Sequence, residues 1–217
     1  MLARVPSKLL RMVSVSVDMD VSTSVPFDTA FVFSWNDVLF PSTWMNLSNF
    51  LQQSHTPSAD TAMVHSVLAQ LDLQIVQVLT HAMSLGPVFV VCEDSVDKLQ
   101  WISRTCLPRT HQLLSTVRLV CPDAAPSPTW HLQVMQAVHR HMLQSASGTI
   151  AIATLGNERL RTGCLTLVLA GGSVVTKIVS VKKTHPTPFE CYEQLKVFSD
   201  GLEDIVFHNA AFDIVLN

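Results

Sequence analysis

Two kinds of hydrophobic pattern alternate along the chain. Ala30 to Phe33, Val88 to Val91, Val117 to Cys121, Thr149 to Ala153 and Val174 to Val181 are short, apolar runs, as expected of strands covered on both faces. Between them lie segments of helical period. The clearest is Thr61 to Ser84, where Val64, Leu68, Leu71, Ile75, Val78, Leu79 and Ala82 form one stripe and Gln70, Gln74, Gln77 and His81 the opposite one. Gly86-Pro87 stops it. Asp94 or Ser95 caps a helix carrying Val96, Leu99, Ile102 and Cys106, which ends before Pro108. After the loop Pro122 to Pro128, Thr129 caps a helix with Val134, Met135, Val138 and Met142. Further helices are predicted from about Glu158 and from Pro188 to about Phe198, with short strands at Ile205 to Phe207 and Phe212 to Leu216. Ahead of all this, Val13, Val15, Val17, Met19 and Val21 alternate with Ser and Asp, the period of a half-buried edge strand. The alternation of strand and helix from Ala30 to Phe198 predicts an α/β fold with a doubly wound parallel sheet. It divides the chain into an N-terminal arm and edge strand (1–26) and one domain (27–217).

Composition changes the picture in one respect. Only 14% of the 217 residues are charged, against the quarter or so usual in globular domains. Either the surface is rich in uncharged polar groups or a partner covers part of it. No uninterrupted apolar run reaches the ~18 residues of a membrane span, so the apolar content is assigned to core and interface. The net charge of −3, with scattered Lys and Arg, shows none of the basic stripe that nucleic-acid binding needs. Five cysteines without a C-x-x-C pair suggest reduced thiols in an intracellular compartment. The basic segment Met1 to Arg11 reads first as an ordinary arm and second as a weak mitochondrial presequence.

The chemistry-bearing stretch is Phe31-Val-Phe-Ser34-Trp35-Asn36-Asp37-Val-Leu39-Phe-Pro41-Ser-Thr-Trp44. A buried strand runs into a polar turn and then a new segment. This resembles the first motif of the haloacid dehalogenase-like (HAD-like) superfamily, Asp-x-Asp-x-Thr-Leu. It is most similar to a protist subgroup reading Asp-Trp-Asp-Asp-Thr-Leu, then Pro, two hydroxyl residues and Trp. Trp35, Asp37, Leu39, Pro41 and Trp44 match that pattern. The resemblance implies a Rossmann-like core without a large cap domain, extending from about Phe27 to Asp213.

It also implies where catalysis would sit, and those positions are degenerate. Ser34 stands where the family has its nucleophile and Mg²⁺ ligand, and a hydroxyl without a base is a poor nucleophile. Asn36 replaces the acid/base Asp and cannot exchange a proton. Asp37 survives as a turn carboxylate. Cys92 replaces the phosphate-binding Thr of the second motif, with Trp101 matching a downstream Trp, and is read as a buried inert thiol. His131, after Trp130, takes the place of the third motif's Lys and is read as a helix-surface histidine. In Thr154-Leu-Gly156-Asn157-Glu158-Arg159 the metal-binding Asp is lost to Asn157, with Glu158 able to reach in from one residue on. His139 and His141 stand two apart and cannot share a helical face with each other, which argues against a metal centre built with His131. No cofactor and no metal are expected.

The expected function is therefore non-catalytic. A HAD-like pseudo-phosphatase would serve as a structural or interaction subunit of a larger intracellular assembly. That assembly would be a cytoplasmic microtubule or flagellar complex, or else a mitochondrial one, with protein partners and no membrane span. The alternatives are a phosphate- or small-ligand-binding module and, last, a divergent phosphatase using Ser34 or Cys92.

Overall fold

The computed structural model describes residues 27–48, 50 and 59–216. The predicted arm and the Val13 to Val21 strand lie outside them. The order is β1 (Asp28–Ser34), α1 (Ser42–Leu47), α2 (Ala59–Leu85), β2 (Val88–Val91), α3 (Val96–Cys106), α4 (Pro108–Leu113), β3 (Arg118–Val120), α5 (Trp130–Ser145), β4 (Ile150–Gly156), α6 (Glu158–Leu169), β5 (Val175–Val181), α7 (Pro188–Asp200), α8 (Leu202–Phe207) and β6 (Phe212–Leu216).

All six strands pair in parallel, in the order β3-β2-β1-β4-β5-β6. This is the Rossmann-like order, with the sequence reversing direction between β1 and β4. Strand residues alternate between two cores. Phe31, Phe33, Val90, Leu155 and Val179 face a core closed by α2, α3, α7 and α8. Ala30, Val32, Val91, Ile152 and Ile178 face a second core closed by α5 and α6.

Side-chain caps open α3 and α7, whereas Thr129, predicted to cap α5, makes no side-chain capping bond. Ser95 caps α3 by accepting the Lys98 N–H, and Thr187 with Glu190 forms a capping box ahead of Pro188. In α2 the predicted stripe Leu68, Leu71, Ile75, Val78, Leu79 and Ala82 is buried. Gln74, predicted to lie on the polar face, is buried as well, as is Asp72. The Asp72 carboxylate accepts the N–H groups of Arg109 (3.0 Å) and Thr110 (2.8 Å), so it caps α4 across 37 residues of sequence. Residues Thr61–Leu85 of α2 are also long and apolar enough to cross a membrane by length and composition, at a mean hydropathy of 1.3 over 18 residues. Glutamines and histidines interrupt the segment, so it contains no unbroken apolar run of that length. Here the buried stripe of α2 packs into the first core.

One expectation fails and another is extended. Ile205 to Phe207, predicted as a strand, belongs to α8, because Gly201 ends α7 and the turn that follows buries Leu202 and Ile205 three apart. Pro108, predicted only as a stop, also opens α4 from its first helical position.

The last crossover differs from the others. α2 and α3–α4 carry the chain from β1 towards β3 over the first face, and α5 and α6 carry it back towards β5 over the second. These four share one hand. α7–α8 continue in the second direction but over the first face, where α7 packs on α2 and Phe198 meets Phe33 edge-on at 5.7 Å. The β5–β6 crossover therefore has the opposite hand, an arrangement found in about 2% of such units. It places α8 over the start of β5. There the fully buried Lys177 donates to the Val206 carbonyl at 2.5 Å and lies 4.8 Å from the Phe27 ring. Burial lowers its pKa to about 8.

Candidate functional site

Open parallel sheets place sites at the carboxyl ends of their strands, where the order reverses. In this protein that place lies above β1 and β4. Ser34 ends β1 pointing towards the second face, and its Oγ lies only 3.1 Å from where a Cβ on Gly156 would stand. It is buried.

Cys92 lies in the first core, on the opposite face of the sheet from Ser34. Strand alternation explains this: β2 turns Val88, Val90 and Cys92 one way and Phe89 and Val91 the other. The side chain that joins the cluster on the second face is Glu93, which no motif position singles out. Only its place one residue beyond Cys92 in the alternation could have flagged it.

Glu93 is the hub. Asn157 Nδ2 donates to its Oε1 at 3.2 Å, His131 Nε2 lies 3.3 Å from the same oxygen, and Arg159 donates to Oε2 at 2.5 Å. Glu93 follows β2 and Asn157 follows β4, with β1 between them. The carboxylate thus bridges the carboxyl end of β1. The hydrogen bond with His131, then the Arg159 charge and the Asn157 amide, hold the Glu93 carboxyl below its ordinary pKa against the opposing effect of burial. His131 is accordingly a buried partner in this cluster, and the expectation of a helix-surface histidine is corrected. Asn157 has a second task, since its Oδ1 caps α6 by accepting the Leu160 N–H at 3.1 Å. Glu158 turns aside to Arg161 (2.8 Å), which also grips Asp213 on β6.

The loop after β1 is tied just as fully. Asn36 donates to Asp94 Oδ2 (2.9 Å) and Ser42 Oγ (3.3 Å), and its carbonyl accepts the Glu93 N–H at 2.8 Å. Asp37 adopts a left-handed backbone (φ 58°), which Asp tolerates better than most residues. Its carboxylate accepts the N–H (2.8 Å) and hydroxyl (2.6 Å) of Thr43 at the start of α1, which is a turn-ordering role. Trp35 stacks on Phe40 in the first core. Trp101 is exposed on α3.

Beside this cluster a cleft of about 490 Å³ opens between the loop before α5 and the first turns of α6. Pro126 to Thr129, His131, Arg159, Thr162 and Thr166 line it. Its floor is tight, because a Cβ on Gly163 would come within 3.0 Å of the His131 backbone. The other described histidines lie outside the cleft. His141 pairs with Arg118 against Phe89, and His139 Nε2 is buried without a partner among the described residues. No group of three or more potential metal ligands occurs among the described residues.

Comparison with protein-family models, with curated proteins and with solved structures finds no match. What the fold defines is a Rossmann-like α/β domain, and its function has to be argued from the site.

Proposed function

We propose that this chain is a HAD-like pseudo-phosphatase, a non-catalytic domain that serves as a structural or interaction subunit of a larger intracellular assembly. The observation that carries the reading is the Glu93 bridge. At the strand ends where the family would bind a phosphoryl group and Mg²⁺, this chain has a carboxylate of its own, neutralised by Arg159 and hydrogen-bonded to Asn157 and His131. An incoming phosphoryl group would have to displace a charge of its own sign. Asn36 is engaged with Asp94 and the Glu93 N–H, and its amide cannot itself exchange a proton with a leaving group. The composition supports the second half of the reading. With 14% charge, the surface carries large exposed apolar side chains at Leu47, Leu169 and Phe207 that a partner would cover. A cytoskeletal or flagellar complex and a mitochondrial one are the settings proposed for it.

The cleft favours a second reading, a module that binds a small ligand without turning it over. Its volume falls in the range of small-molecule sites, and hydroxyl groups dominate its polar lining. One experiment addresses both. Purified protein with Mg²⁺ and a generic aryl phosphate is expected to give no hydrolysis above a boiled control. The double change Ser34→Asp with Asn36→Asp should not restore any, because Glu93, Cys92 and Asn157 remain. Turnover that survives re-purification and vanishes in Ser34→Ala refutes the pseudoenzyme. Saturable binding of a phosphate analogue without turnover would instead favour the second reading.

A further inference from the structure

The carboxyl ends of β2 and β3 carry a feature independent of this cluster. Val91 and Val120 are register partners in adjacent parallel strands, and the next residue on each is a cysteine. The Cys92 N–H donates to the Val120 carbonyl at 2.9 Å, which keeps the two strands together one residue beyond the ladder. Both side chains fall on the first face, Cys92 within the core and Cys121 packed against it. Neighbouring strands lie roughly 4.8 Å apart, inside the ~4.4–6.8 Å between Cα atoms that a disulfide spans.

We propose that Cys92 and Cys121 form a redox-active dithiol site that a small-molecule disulfide oxidises, entering at Cys121. The division of labour follows from exposure. Cys92 is fully buried, whereas Cys121 is half-buried and open to a reagent. As neighbours the two thiols push their pKa values apart, Cys121 downward against the opposing effects of burial and Asp94, and Cys92 upward with burial adding to the rise. The Cys121 thiolate attacks one sulfur of the disulfide, forming a mixed disulfide and releasing one thiolate. Cys92 then loses its proton and attacks the Cys121 sulfur, releasing the second thiolate. The protein dithiol gives up two electrons and two protons, and the small disulfide becomes two thiols. The other cysteines do not compete. Cys164 and Cys191 are buried in other elements, and Cys106 ends α3.

The test is to incubate the folded full chain with oxidised glutathione, denature it in excess maleimide and map the peptides. Alkylatable thiols should fall from five to three, with Cys92 and Cys121 recovered as one cross-linked species. Cys92→Ala should instead accumulate one glutathione on Cys121. Cys121→Ser should take up none at Cys92. Full alkylation of both residues in the wild-type chain, or a cross-link from either of them to Cys106, overturns the proposal. The wild-type map decides the question even if a variant fails to fold.

Discussion

A single carboxylate sets how the strand ends respond to acid. Glu93 titrates below its ordinary value of 4.5 in the folded chain. A group whose folded pKa is depressed lends stability above its unfolded pKa and withdraws it as pH falls through the folded value. The wild-type protein should therefore melt higher than Glu93→Gln near neutral pH, and the gap should narrow below about pH 4.5. Melting curves from pH 7 to 3 follow this directly. A gap independent of pH would mean that Glu93 acts through shape alone. At this scale the sequence was readable only in part. That Ser34, Asn36 and Asn157 carry no carboxylate is plain in the order of residues, as is the turn role of Asp37. The replacement interactions are not, because Glu93, His131 and Arg159 lie far apart in sequence and meet only through the strand order. The same applies to Cys92, whose place at the end of a strand was legible while the face it occupies was not.

Among elements, the closest approach is where α2 enters β2. A Cβ on Gly86 would stand 2.0 Å from the Thr29 carbonyl oxygen, a backbone atom of β1 that pairing with β4 fixes in place. Gly86→Ala is expected to destabilise the domain by about 2 kcal/mol or more, as overpacking against unyielding atoms does. Chemical denaturation should show a lower midpoint with an unchanged slope. A midpoint within error of wild type would show that α2 can shift away. Strands and long helices were legible because their apolar runs and stripes are local signals. β2, α3 and α7 lie close to their predicted positions for that reason. α1, α4 and α8 were missed or misread. Each is six residues long, too short to show a period, and α4 depends on a carboxylate from α2. The hand of the last crossover leaves no trace in local pattern.

The whole molecule is covered unevenly. Among the described residues, α5 and α6 close the second face and β6 is the last strand of the sheet, with Val215 exposed. Unpaired edges invite pairing with another chain, and a surface this poor in charge does little to discourage it. The chain expressed alone is expected to self-associate, or to need its partners to stay in solution. Removing residues 1–12 should reduce its entry into the native complex. Light scattering on the isolated chain and affinity capture with the shortened one measure these two effects. A monodisperse monomer whose shortened form assembles normally would defeat the proposed role. The reversed last crossover has a separate consequence during synthesis. Because α7 returns to the first face, the surface formed by Phe33, Val179 and Val181 stays uncovered until residues 188–200 have left the ribosome. For most of translation the nascent domain holds an open hydrophobic side. A pause or premature stop after β5 would release a chain with its sheet complete to the fifth strand and one core unsealed, a natural client for a chaperone.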